Sequence, residues 1–242
     1  MNRSRNLLLG IGFTLLFLTT KAQDNQLTQT EKQQGWQLLF DGKTTEGWKS
    51  ANKDGFPQKG WKVEGGTLSV EPKASGGDIV TLKEYGDFEL SVDFKLTEGA
   101  NSGIKYYVAS LKSSPTGTPS ALGLEYQLID DERHPDAKLG KNGNRRLAAV
   151  YDLMPAGSTK KAKPLGEWNT ARIVSKGNHV EHWLNGVQVL QYERNSAAFK
   201  QLIAESKYKE IAGFGINSRG HILLQDHGDQ VYYKNIRIKA GQ

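Results

Sequence analysis

Residues 87–96 alternate without a break: Phe88, Leu90, Val92, Phe94 and Leu96 fall on one face of an extended chain, and Glu89, Ser91, Asp93 and Lys95 on the other. Successive side chains of a strand point to opposite sides of the sheet. A strand written this way buries one face and wets the other, so a second layer must cover its apolar side. The same period of two recurs along the chain. Trp61-Lys62-Val63 and Thr67-Leu68-Ser69-Val70 flank Glu64-Gly65-Gly66, and residues 179–184 and 188–192 flank Asn185-Gly186. Both are hairpin signals. Residues 102–109, 123–129, 147–153, 170–175, 221–225 and 230–239 read as further strands. The series opens at Trp36-Gln37-Leu38-Leu39-Phe40, ahead of the turn Asp41-Gly42-Lys43. Residues 196–207 alone have helical spacing, with Ala198, Leu202 and Ile203 behind a candidate N-cap at Asn195. Many strands and one short helix predict an all-β fold, a two-sheet sandwich rather than a barrel. No repeat or linker interrupts the pattern, so residues 35–242 are expected to form one domain behind a polar leader at residues 23–34.

The 242 residues contain no cysteine, so the core must hold the fold without disulfides. Arg3 and Arg5 precede an apolar run at residues 7–20, and Thr20-Lys21-Ala22 places small residues at −3 and −1 of a cleavage site. This is the pattern of a secretory signal peptide spanning residues 1–22. The run is short of the roughly 20 apolar residues of a membrane-spanning helix, so an uncleaved anchor is the lesser reading and no stable membrane insertion is expected after cleavage. A lipoprotein anchor would need a cysteine there. The expected location is the periplasm or the medium. The full chain carries 32 Lys+Arg against 26 Asp+Glu; without Arg3, Arg5 and Lys21 the balance is 29 against 26, a net charge of +3. Its densest basic run, Lys160-Lys161-Ala162-Lys163, lies in a Pro/Gly-flanked loop and reads as a solvated surface, so no nucleic-acid partner is expected. Nothing in the sequence fixes an oligomeric state.

Three segments carry the candidate chemistry. In residues 123–131, alternation sends Leu124, Tyr126 and Leu128 to the core and Glu125, Gln127 and Ile129 to the opposite face, with Asp130, Asp131 and His134 at the strand exit. The same spacing also fits an ordinary solvent-facing strand and a polar turn. In residues 179–186, Val180, His182 and Leu184 share one face, and His179, Glu181 and Trp183 the other. A tryptophan among charged groups suits stacking on a sugar ring; the alternative puts Trp183 in the core and His182 at the surface, or the reverse. Residues 220–229 gather His221, Gln225, Asp226, His227 and Asp229. Imidazole and carboxylate both ligate metals, but the histidines lack a metal-binding spacing, so no cofactor is expected and a divalent metal is the minor alternative. A conventional glycosidase pairs two carboxylates about 5–9.5 Å apart. The residue two along from Glu125 on its own face is Gln127, an amide, so a pair would need a carboxylate from another strand.

The ordered set of motifs resembles the 3-keto-disaccharide hydrolase domain family. The resemblance rests on Leu38-Leu39-Phe40-Asp41-Gly42 with Gly47-Trp48, Trp61-Lys62-Val63-Glu64-Gly65-Gly66-Thr67-Leu68 and Asn101-Ser102-Gly103-Ile104. It continues through Glu125-Tyr126-Gln127-Leu128-Ile129-Asp130-Asp131, Gly166-Glu167-Trp168-Asn169 and Leu184-Asn185-Gly186. Gly220-His221-Ile222-Leu223-Leu224-Gln225-Asp226-His227-Gly228 and Lys234-Asn235-Ile236-Arg237 complete it, covering essentially the whole mature chain. It implies a concanavalin-like jelly-roll sandwich of two antiparallel sheets and cleavage of glycosides already oxidised at C3. A C3 ketone acidifies the C2 proton, so a base can form an enolate and the C1 substituent can leave by β-elimination, with or without water adding back. That route needs one base, a group that steadies the enolate oxygen and a proton donor. The resemblance points to Glu125 or His182 as base or acid, Lys105 as the cation and His134 as a reserve acid/base. Asn101, Gln127, Asp130, Asp131, Tyr151, Trp183, Asn185, Gln225 and His227 are the expected contacts to an oligosaccharide or glycoside substrate. A non-catalytic carbohydrate-binding module and a two-carboxylate glycosidase are the competing functions.

Overall fold

The computed structural model describes residues 23–110 and 121–241. The expected signal peptide lies outside the described residues. The strands in chain order are β1 (Trp36–Leu38), β2 (Trp48–Ser50), β3 (Trp61–Glu64), β4 (Thr67–Val70), β5 (Ile79–Thr81), β6 (Phe88–Leu96) and β7 (Asn101–Ser110). They continue as β8 (Leu122–Ile129), β9 (Asn169–Lys176), β10 (His179–Leu184), β11 (Val187–Glu193), β12 (His221–Leu224) and β13 (Val231–Ala240). All pairings between these strands are antiparallel and sort into two sheets. The larger runs β11-β10-β9-β6-β13-β4-β3, with β1 sharing an edge of β13; the smaller runs β2-β5-β12-β7-β8. The predicted all-β jelly-roll sandwich is therefore the observed fold.

β6 behaves as its alternation requires: Phe88, Leu90, Val92, Phe94 and Leu96 are buried between the sheets, and Glu89, Asp93 and Lys95 are half-buried on the outside. The smaller sheet contributes Ile104, Tyr106, Leu124, Tyr126 and Leu128 to the same core. At Tyr107 the backbone enters the left-handed region (φ 58°), and the β7–β8 register slips between Tyr106 and Ser110. This bulge buries two consecutive tyrosines. Both predicted hairpins form; Asn185 (φ 50°) and Gly186 (φ 81°) each take the positive φ that a tight primed turn needs.

Several details depart from expectation. Residues 147–153, expected as a strand, form turns bridged to the sheet only at Val150, through isolated bridges from Val150 to Tyr126 and Met154, and β2 and β5 were not anticipated. The helix is shorter than residues 196–207: α2 spans Ala197–Ala204, and its cap is Ser196, whose hydroxyl accepts from Phe199 N. The polar leader is docked rather than loose. It carries α1 (Gln29–Gln33), closed by a capping box between Thr28 and Glu31. Glu31 pairs with Arg237 of β13 at 2.7 Å, and buried Asn25 exchanges hydrogen bonds with Asn235. Among the described residues no helix is long and apolar enough to cross a membrane.

Candidate active site

The outer face of the smaller sheet carries the densest group of buried polar side chains. In the β7–β8 ladder Lys105 stands opposite Glu125, and Gly103 opposite Gln127. Directly opposed residues in an antiparallel pair share a face. Lys105, Glu125, Gln127 and Asn101 therefore lie together, away from the Tyr106–Tyr126 core. β12 extends the row, with Leu223 opposite Lys105 and Gln225 N donating to Gly103 O. The alternation anticipated this face but not its burial: Glu125 is 5% exposed, Lys105 7% and Gln127 1%.

Segments outside the sheet cover these residues. Residues 147–151 run along β8: Ala148 N donates to Gln127 O, Gln127 N to Ala149 O, and Tyr151 N to Glu125 O. Lys207 and Tyr208, beyond α2, approach from another side. The Lys207 amine lies 4.1 Å from the Tyr151 ring centre and 5.1 Å from that of Tyr208. Two acids fix these covering segments. The Tyr151 hydroxyl donates to Asp136 at 2.8 Å, and Lys207 N donates to Asp152 at 2.8 Å. Arg145 ties both acids together, at 2.9 Å to Asp136 and 2.6 Å to Asp152.

Glu125 is held with care. Gly103 leaves the space its carboxylate fills, and the Gln127 amide, turned so that both its ends are paired, donates to Glu125 Oε1 at 3.2 Å and Ser102 O at 3.0 Å. Burial pushes the Glu125 carboxyl above its usual range, against the opposing pull of Lys105 and then Lys207. Burial likewise lowers the Lys207 amine, with Glu125 and Asp152 working against it. Asp78 stands 3.9 Å from the Lys105 amine, its carboxyl also raised by burial and opposed by Lys105. The result is a desolvated cluster of two carboxyls and two amines, charges that are expensive to bury unless they have work to do.

The expected site residues divide sharply. Glu125, Lys105, Gln127, Asn101, Gln225 and Tyr151 come together on or over this face. His134 and His227 meet at its edge, with ring centres 5.7 Å apart. His182 does not belong. It is fully buried between the sheets, with Nδ1 on Ala148 O at 3.0 Å and Nε2 on the Tyr106 hydroxyl at 2.9 Å. Desolvation lowers its pKa to about 4. A neutral imidazole sealed in the core cannot reach substrate, so the expectation of His182 as acid or base is corrected.

Trp183 and Asn185 are also misplaced as substrate contacts, because β10 belongs to the other sheet. The Trp183 indole donates to Glu181 at 2.7 Å under the Arg172 guanidinium, 4.8 Å from its ring centre. Asn185 locks its turn by accepting from Thr170 N and donating to Asn169 Oδ1. Asp130 and Asp131 are occupied structurally. Asp130 accepts from Gly99, Glu132 and Arg133 backbone N–H groups; Asp131 accepts from Leu147 N and pairs with Lys160.

Lys207, Tyr208, Asp78 and Arg145 were missed. Each lies in a turn or loop, where no periodicity marks which way a side chain points. Asp78, just ahead of β5, had a signal available: in the ladder it falls in the row of Gly103 and Gln225.

The fold and the site define a jelly-roll β-sandwich protein with carboxyl and amine groups desolvated together on the outer face of one sheet. Within that class, this chain belongs to the 3-keto-alpha-glucoside-1,2-lyase-like domain family, whose profile matches residues 35–239. It is 36% identical over 229 residues to the 3-keto-disaccharide hydrolase of Bacteroides thetaiotaomicron, covering 85% of this chain and 78% of that protein. A crystal structure from Parabacteroides distasonis, provisionally described as a glycosyl hydrolase, superposes with a TM-score of 0.78 at 35% identity, covering 91% of this chain and all of that one. A second Parabacteroides distasonis structure so described gives 0.63 at 26% identity, over 85% and 99% of the two chains.

Proposed function

We propose that the protein is a carbohydrate hydrolase or lyase that cleaves glycosides carrying a ketone at C3, with Glu125 as the base. The observation that carries this reading is Glu125 itself: a desolvated carboxylate, fixed by Gln127 and flanked by two lysines, in a chain whose relative is named a 3-keto-disaccharide hydrolase. A raised carboxyl pKa makes a stronger base, nearer to the working pH. Glu125 takes the C2 proton, and the electron pair of that bond forms an enolate ending on the C3 oxygen. Lys105 steadies that oxygen. The enolate then re-forms the ketone, the C1–O bond breaks, and C1=C2 is left behind. Lys207, whose amine is made more acidic by burial, returns a proton to the departing oxygen. Water adding across C1=C2 completes a net hydrolysis. The paired carboxylates Asp78 and Glu125, one on each flank of Lys105, favour a conventional glycosidase as the second reading. We place the protein in the periplasm or the medium on the strength of residues 1–22.

The deciding experiment offers the purified mature chain a 3-keto-glucoside and its unoxidised parent side by side. The proposal expects only the oxidised glycoside to be consumed, and Glu125→Gln to abolish that consumption. Cleavage of the parent alone would transfer the assignment to the conventional glycosidase.

A further inference from the structure

His134, His227 and Asp229 converge at the edge of the Glu125 face, and we infer that they form a binding site for a divalent transition metal. The three come from two turns far apart in the chain. His134 caps a short 3-10 helix at Pro135–Lys138, and the other two lie between β12 and β13. One ligand atom from each falls within 4.8 Å of the others. His134 Nε2 stands 4.0 Å and His227 Nδ1 3.9 Å from the same oxygen, Asp229 Oδ2. Those separations are too long for hydrogen bonds, which run to about 3.2 Å. They fit two ligands of one ion: at about 2.1 Å from the metal, two donors stand at most about 4.2 Å apart. No two of the ligand atoms are more than 4.8 Å apart, so only a small adjustment is needed, and the His227 side chain, 47% exposed, is free to make it.

The ligand set is that of a metal centre, and Asp229 already has the support of one. Two imidazoles and a carboxylate select Zn²⁺, Mn²⁺, Co²⁺ or Fe²⁺ over Mg²⁺ and Ca²⁺, and leave positions open for substrate oxygens. Asp229 Oδ2 is oriented by a hydrogen bond from Asn101 N at 3.0 Å, the kind of outer contact that ligating carboxylates receive. Asn101 begins β7, on whose outer face Lys105 follows four residues later, so the ion would stand at one end of the row that carries the proposed base. His134 Nδ1 accepts from Asp136 N at 3.1 Å, which leaves the proton of the neutral ring on Nε2. Ligation through Nε2 therefore moves that proton to Nδ1 and releases the Asp136 amide, a change that can be watched directly. The metal's role rests on the proposed function: a C3 ketone and its neighbouring hydroxyl offer two adjacent oxygens to the open positions, and a Lewis acid there sharpens the C2 proton. The site itself does not depend on that reading.

The test uses chelator-treated mature protein titrated with Co²⁺, Zn²⁺ or Mn²⁺ alone. Binding is followed by calorimetry, by Co²⁺ visible absorption and by the Asp136 amide signal in NMR. One ion per chain is expected, with the Asp136 amide shifting in step with occupancy. His227→Ala and the isosteric Asp229→Asn should each weaken binding by about tenfold or more, circular dichroism confirming that both still fold. No saturable binding, or binding unchanged in both variants, overturns the inference. Metal bound as described by a protein that leaves 3-keto-glucosides intact upholds the site and removes the function. Full-rate cleavage by metal-free protein removes the metal's role and keeps the function.

Discussion

A Cβ placed on Gly103 would lie 2.1 Å from Oε1 of Glu125, and 2.8 Å from its Cδ. The absence of a side chain at Gly103 is what lets the carboxylate lie down across β7 beside Lys105. Gly103→Ala is therefore expected to displace Glu125 rather than the backbone. Overpacking of this kind costs about 1–3 kcal/mol. Urea unfolding should recover most of that loss in the double variant Gly103→Ala/Glu125→Ala, whereas turnover should be lost in both. Equal stability of Gly103→Ala and the parent protein would show that the carboxylate has another resting place.

Replacing the proposed base should separate folding from activity. Glu125→Gln keeps the shape and the Gln127 contact, and loss of a positioned general base lowers rates by roughly 10²–10⁴-fold. Steady-state kinetics on a 3-keto-glucoside should show that fall in kcat. Lys105→Met should fall in kcat as well, because its target is the enolate and not the bound ketone. A change in KM alone for either variant would place these groups in binding instead.

Arg145 links both acids that hold the covering segments. Arg145→Ala leaves Asp136 and largely buried Asp152 facing each other without their cation, and is expected to cost about 3 kcal/mol. Arg145→Lys restores the charge but not the two-pronged geometry, so it should recover only part of the stability. Thermal melts of the two variants check the order; a lysine variant equal to the parent would contradict the geometric argument.

His182 gives the fold an acid sensitivity unrelated to catalysis. Its pKa is about 4 in the folded protein against 6.5 as the ordinary value. Between those values the unfolded chain binds the extra proton, so stability falls as pH drops through that window. The loss from this residue at pH 5 is about 2 kcal/mol relative to neutral pH. Urea titrations at pH 7 and pH 5 should show it, and His182→Gln should flatten the difference. An unchanged pH dependence in that variant would mean that other groups carry it.

The strands were legible because burial repeats along them. Phe88 to Leu96 announce their face in the sequence, and the parity of Leu124, Tyr126 and Leu128 correctly sent Glu125 and Gln127 to the opposite side. Parity could not say which face of β10 was the core. His182 and Trp183 are neighbours with opposite directions, and a histidine satisfied by Tyr106 and Ala148 O looks in sequence like one awaiting substrate. Nor could it show burial by loops. Lys207 and Arg145 act through segments that fold over the sheet from far along the chain, and His134 meets Asp229 across turns that carry no periodic signal.

The reading of residues 1–22 predicts a mature N-terminus at Gln23. Intact-mass analysis of protein recovered from the periplasm or medium should give the chain that starts there. Full-length protein retained in the membrane fraction would identify an anchor instead.

The elimination route is tested most directly by cleaving a 3-keto-glucoside in heavy water and locating the label. Removal and return of a proton at C2 predicts one solvent deuterium at that carbon of the released sugar, with none incorporated by Glu125→Gln. Complete cleavage by the parent protein with the original hydrogen still on C2 would contradict the account.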